Sequence, residues 1–227
     1  MAADRTKPVS RANVGTKRVV DKSAHRLALL DATACVIAQH GISGTTISRI
    51  QEASGLSRGL IHLHFQSKDN LIAELARHLD AEYQSSRKLA IADVGTDPKA
   101  RLREIIRVEF STRILNPGTN AVWMALRSEC HARREILRDV DTRDWSIYRE
   151  IFSCFSAMSG PASDPVACRR ATLALMTMLE GLFTDLHLHP DNFNRDEAVK
   201  VCLFAADALE LGIRQASGGW KEAQPED

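Results

Sequence analysis

The stretch TISRIQEASGLSRGLIHLHFQSK, residues 46 to 68, decides how the rest of the chain is read. Thr46 is a good N-cap, and Ile47, Ile50 and Ala53 set apolar side chains on one helical face before Ser54-Gly55 stops the run. Ser57 can cap a second helix, whose buried side is Leu60-Ile61 with Phe65. Two short helices joined by a tight glycine turn have the outline of a helix-turn-helix, and also of an αα-corner that only packs. In the first case the second helix enters the major groove of DNA.

The detailed letters favour the first. Thr45-Thr46-Ile47, Ile50, Ala53, Gly55-Leu56-Ser57, Gly59, His64-Phe65, Lys68 and Leu71 resemble, at matching spacing, the DNA-binding domain of the tetracycline-repressor (TetR) family. The chain departs from that pattern at Gln51 and Ser54, where the family usually has alanine, and at His62, where it usually has tyrosine. The resemblance implies a DNA-binding set of Thr45, Thr46, Ser57, Arg58, Gly59, Leu60, His62, His64 and Lys68. Thr45, Thr46 and Lys68 are expected on phosphates, and Arg58, Gly59, Leu60 and His62 near base edges.

Charge is divided to match. Residues 1–68 hold ten Lys/Arg against four Asp/Glu, while the remainder holds twenty against twenty-five, which hides behind a net charge of +1. Only the N-terminal part is suited to a polyanion. Residues 1–21, with Pro8, Gly15 and five basic side chains, read as a disordered basic arm, either a solubilising tail or an arm lying on DNA. Residues 22–66 read as the helix-turn-helix domain, 67–217 as a larger helical body, and 218–227 as a flexible tail.

The fold class is all-α, with about nine helices and no run of period two long enough for a strand. A supporting helix runs from Ser23 to His40 on Leu27, Leu30, Ala34, Ile37 and Ala38. Ser67 opens a long helix with a stripe of Leu71, Leu75, Leu79 and Leu89. Asp97-Pro98 and Asp164-Pro165 are each a cap followed by an N1 proline, and another helix is expected from about Arg133 to Met158. Asn194 with Glu197 resembles a capping box for the last helix.

The final two helices are apolar nearly all round, so each must be covered on more than one side. One reading is a central helix pair inside a monomer. The other, which we favour, is a two-fold interface built from Leu175, Met178, Leu182, Ala205, Ala206 and Leu209, giving a homodimer that reads inverted half-sites.

Within the body, Ala121-Val122-Trp123-Met124-Ala125, the run from Ala174 to Phe183 and Pro190 are similar to the ligand domain of the BetI-type choline-responsive repressors in that family. This implies a dimeric repressor on a palindromic double-stranded DNA operator, released by a small-molecule effector. A quaternary ammonium needs aromatic faces and an acid. Trp123, Trp145, Tyr148 and Phe183 supply faces, and Glu180, where the subgroup usually has aspartate, supplies the acid. The alternatives are a regulator with a different, larger apolar effector, in which Glu180 pairs with an arginine such as Arg127 or Arg149, and a helical protein-binding adaptor.

Catalysis, cofactors and metals find no support. Ser128-Glu129-Cys130-His131 project around a helix instead of converging, and His62/His64 and His187/His189 have the i, i+2 spacing that a helix splays apart. Five scattered cysteines without a CxxC read as reduced, mostly buried thiols. The N-terminus has no apolar signal segment and no 18-residue uncharged apolar run occurs, so a cytoplasmic protein without a membrane span is expected.

Overall fold

The structure, a computed structural model, describes residues 11–129, 145–161 and 163–217. Among these residues it is all-α. In order the helices are α1 (Arg11–Gly44), α2 (Ile47–Ser54), α3 (Arg58–Phe65), α4 (Lys68–Ile91) and α5 (Pro98–Glu109). They continue as α6 (Pro117–Glu129), α7 (Trp145–Ser159), α8 (Pro165–Leu188) and α9 (Arg195–Ser217).

α1 begins at Arg11, twelve residues before the expected Ser23, so residues 11–21 are helical and not an arm without period. Residues 1–10, the tail after Ser217 and the part of the expected Arg133–Met158 helix before Trp145 lie outside the described residues.

The chain forms two compact units that part between Leu75 and Ala76, within α4 and nine residues beyond the boundary expected at 66. In the first unit α1, α2 and α3 pack on one another around Leu29, Leu30, Ile37, Ile50, Ile61 and Phe65. The opening turns of α4 belong here because Leu71, Ile72 and Leu75 are buried and Glu74 takes an ion pair from Arg26. The Arg26 guanidinium also lies over the Phe65 ring, 4.9 Å from its centroid. Residues 22–44 of α1 are long and apolar enough to cross a membrane. Their Leu29, Leu30, Val36 and Ile37 are buried while Asp31, Gln39 and His40 are exposed, the pattern of a helix packed on soluble partners.

In the second unit α8 packs on α6, α7 and α9, and α5 on α7 and α9. The core holds Ile105, Ile106, Phe110, Ile151, Phe155, Leu175 and Cys202. The two cap-plus-proline signals act as expected: Asp97 accepts from the backbone N–H of Lys99 and Ala100, and Asp164 from that of Val166. Asn194 Oδ1 likewise accepts from Glu197 N at 3.0 Å. α9 is fastened by charge, with Lys99 Nζ reaching Glu210 at 2.9 Å and Asp207 at 3.1 Å, and Arg103 reaching Asp207 at 2.7 Å. Leu89, assigned above to the inward stripe of α4, is 62% exposed. Cys154, Cys168 and Cys202 are buried, and burial pushes the Cys154 and Cys202 thiols up to about 11. Cys35 is exposed, and Cys130 lies outside the described residues.

Candidate nucleic-acid interface and ligand cavity

The helix-turn-helix is built by local chemistry. Thr46 takes an extended conformation and accepts from Arg49 N at 3.3 Å, opening α2. Gly55 closes it at φ 67°, a left-handed position where only glycine is free of a Cβ penalty, and donates its N–H to Gln51 O at 2.9 Å. Ser57 then accepts from Leu60 N at 3.4 Å and opens α3. Ile61 and Phe65 are buried against the rest of the unit, which turns Arg58, Gly59, His62 and Leu63 to solvent. At 100° per residue these four occupy one side of α3. Arg58 has no ion-pair or hydrogen-bond partner among the described residues.

Not every residue of the expected DNA-binding set is on that surface. The Thr45 side chain is 0% exposed and its Oγ1 donates to Gly41 O at 2.7 Å, so it cannot reach a phosphate. His64 is half-buried and edge-on to His25 of α1, with ring centroids 6.3 Å apart. Burial first, and then the charges of Lys22, His25 and Arg26, hold its pKa below the ordinary value, and its ring packs toward α1 instead of standing on the solvent face of α3. Leu60 is half-buried; Thr46 and Ser57 are exposed caps. Lys68 is half-buried, with Nζ on Thr45 O at 3.1 Å. Leu63 was overlooked: it is 68% exposed on the polar face of α3, and its place one turn after Gly59 was the available signal.

The second unit contains a cavity of about 600 Å³. Tyr83 of α4, Glu109 of α5, Trp123 and Arg127 of α6, and Glu180 and Phe183 of α8 line it, with Ile147, Met176 and Leu179 giving apolar wall. Buried Asn120 ties α6 to α8 by donating to Phe183 O at 2.7 Å, and the Phe183 ring packs edge-on to Phe110 with centroids 5.8 Å apart. Tyr83 donates its hydroxyl to the fully buried Glu109 carboxylate, 2.9 and 3.0 Å from the two oxygens. Behind it Arg87, also fully buried, donates to the Tyr83 oxygen at 3.2 Å and to Gln84 at 2.7 Å.

Of the expected ligand set, Trp123, Glu180 and Phe183 meet here, whereas Trp145 and Tyr148 do not. α7 buries Ile147, Ile151, Cys154 and Phe155, which leaves Trp145 half exposed, edge-on to Tyr148 at 5.5 Å, with Tyr148 stacked on Phe152 at 6.2 Å outside the cavity. Tyr83 and Glu109 were missed because a lone tyrosine and a lone glutamate on two separate helices carry no spacing signal. Glu180 pairs with neither Arg127 nor Arg149 among the described residues, contrary to the core-acid alternative.

The expected dimer residues also divide. Leu175 and Ala206 are buried within the unit, Leu182 and Leu209 pack on its core, and Met178 and Ala205 are half-buried. The large apolar groups left in solvent are Val166, Leu173 and Leu188 on α8 and Val201, Phe204 and Leu211 on α9, with Phe204 78% exposed. A helix apolar all round gives no sign of which side its own unit takes, and here the unit took the side of α9 that carries Ala198, Cys202 and Ala206.

Comparison with known proteins agrees with both halves. The family described as "Bacterial regulatory proteins, tetR family" matches residues 29–75, and "BetI-type transcriptional repressor, C-terminal" matches residues 98–210. The HTH-type transcriptional regulator BetI of Paraburkholderia phymatum is 28% identical over 199 residues, covering 86% of this chain and 96% of that protein. The BetI of Pseudomonas aeruginosa PAO1 is 27% identical over 194 residues, covering 85% and 95%. Among solved structures, a transcriptional regulator from Pseudomonas aeruginosa PAO1 superposes with a TM-score of 0.70 at 25% identity, covering 84% of this chain and 92% of that one. These relatives are regulators and not enzymes, and the same head followed by the same type of body shows that this chain belongs to the TetR family of DNA-binding transcriptional regulators.

Proposed function

We propose that the protein is a homodimeric repressor that holds a palindromic operator in two successive major grooves and releases it when a small organic cation occupies the cavity. The observation that carries this reading is the solvent face of α3, where Arg58, Gly59, His62 and Leu63 stand clear above the buried Ile61 and Phe65. Residues 22–75 serve as the reading head and the remainder to Ser217 as the effector and dimer body. Such a protein works in the cytoplasm, where the DNA is.

Dimerisation is assigned to the exposed apolar side of α8 and α9, in place of Leu175 and Ala206. Val201, Phe204, Ala208 and Leu211 follow one stripe at helical spacing. For the effector, choline or a related quaternary ammonium fits the combination of Tyr83, Trp123 and Phe183 rings with the Glu180 carboxylate. α4 supplies Tyr83 to the cavity wall and is the same helix that starts at Lys68, so an effector that prefers a different α4 setting works against operator binding. A hundredfold loss of operator affinity requires about 2.8 kcal/mol of differential binding. The volume of about 600 Å³ and the Ile147, Met176 and Leu179 wall favour a second reading, an effector larger than choline with an apolar part.

The test is a gel shift against DNA recovered from a genome-wide pull-down. Specific binding that Arg58→Ala weakens and choline reverses is expected. Binding that ignores Arg58 removes the α3 assignment, and binding untouched by choline but reversed by an apolar compound leaves the second reading.

A further inference from the structure

We infer that the effector is a zwitterion, an organic cation that also carries an acidic group, held between Glu180 and Arg127. The inference rests on the cavity being the effector site and adds the ligand's second charge. Glu180 of α8 and Arg127 of α6 both line the cavity, and neither side chain pairs with the other or with any described residue. The Arg127 Nε is buried and has no hydrogen-bond partner. The other charged groups of the wall are accounted for differently. Glu109 takes the Tyr83 hydroxyl, Glu82 faces His78 at 3.6 Å, Asp80 has a partner of its own, and Arg113 is exposed to water.

Two opposite charges in one cavity that have not collapsed onto each other leave both to be satisfied from outside the chain. A simple cation answers Glu180 and abandons the guanidinium, and a simple anion does the reverse. A zwitterion meets both, brings no net charge into the cavity, and gives Arg127 the carboxylate or phosphate oxygen that its planar fork suits. Phe183 stands about one helical turn after Glu180 on α8 and lines the same cavity, so an aromatic ring lies on the carboxylate's side for the ligand's cationic end, away from the Arg127 guanidinium.

The experiment is calorimetry on the full-length protein with three probes that share a trimethylammonium head: choline, trimethylglycine, and the longer 4-(trimethylammonio)butanoate. At least one zwitterion is expected to bind about tenfold tighter than choline. Arg127→Met should bring it down to choline's level or below, and Arg127→Lys should restore part of the preference. Retained operator binding without ligand shows that both variants are folded. Choline binding as tightly as both zwitterions overturns the inference and leaves the cationic cavity standing. No heat with any of the three overturns both.

Discussion

Lys68 Nζ donates a hydrogen bond to the backbone carbonyl of Thr45 at 3.1 Å. The first residue of α4 is thereby tied to the residue preceding the α2 cap, and Thr45 is in turn locked by its own hydroxyl on Gly41 O at 2.7 Å. Lys68 is therefore a strut of the head as well as a positive charge near the expected phosphate path. Lys68→Ala should lower head stability by about 1 kcal/mol and weaken binding to all DNA sequences alike. Thr45→Val should cost a similar amount, about 1 kcal/mol, yet leave the salt dependence of DNA binding unchanged, because its hydroxyl faces inward. A salt slope that moved with Thr45→Val would put that residue back on the phosphates.

Base reading is expected from the exposed side of α3 alone. Arg58→Ala should cost about 1–3 kcal/mol and relax preference at one operator position. Leu63→Ser should relax preference at a different position, one where a thymine methyl meets the apolar side chain. His64→Gln should leave preference alone, since that ring packs toward His25. Selection of bound sequences from a random library measures all three.

How much could be read beforehand follows from the range of the interactions. Thr46, Gly55 and Ser57 act within three or four residues of themselves, so the caps and the turn of the helix-turn-helix were legible as letters. The cavity depends on Tyr83 meeting Glu109 across two helices, a contact of sequence separation 26 that no local pattern announces. Thr45 sits beside a cap in sequence and still points inward, because the kink at Gly41, φ 66°, offers its hydroxyl a carbonyl. The alanines of α9 permit close approach by any helix, and nothing in the letters said that the nearest helix would be one of its own unit.

The fastening of α9 on α5 sets an acid limb. Burial pushes the Glu210 carboxyl up, but hydrogen bonds from Lys99 and Arg214 outweigh it and hold its pKa below the ordinary 4.5. For Asp207 too, burial is outweighed, by Lys99 and Arg103, and the pKa lies below 3.8. A folded-state pKa below the unfolded one means that the stabilisation is fully present above the unfolded pKa and is lost as pH falls through the folded value. Thermal midpoints should therefore hold steady above pH 4.5 and fall below it. Glu210→Gln should lower stability near pH 7 by about 1 kcal/mol and flatten that acid limb. An acid limb as steep as in the parent protein would show that the protonation responsible lies elsewhere.

Assembly should separate two residues that lie only two positions apart on α9. Phe204 is 78% exposed and Ala206 only 4%. Phe204→Glu should give a folded protein that sediments as a monomer and has lost tight operator binding, because one half-site offers too few contacts. Ala206→Asp should instead unfold the body, since it places an unpaired charge within the unit's own core at a cost of several kcal/mol. If Phe204→Glu stayed dimeric, the interface would have to lie off the α9 stripe.

Two of the chain's three tryptophans give opposite expectations for the effector. Trp123 lines the cavity with Phe183 and Glu180, whereas Trp145 lies outside it against Tyr148 and is half exposed. A bound trimethylammonium group touching the Trp123 face should change indole fluorescence, and the change should survive Trp145→Phe and vanish in Trp123→Phe. Affinity should fall in Trp123→Ala by about 0.5–2 kcal/mol, the worth of one aromatic face, or roughly two- to thirtyfold. Trp145→Ala should bind as the parent does. The comparison distinguishes the cavity from the outer aromatic stack, because an effector held on the Trp145, Tyr148 and Phe152 rings would reverse both results.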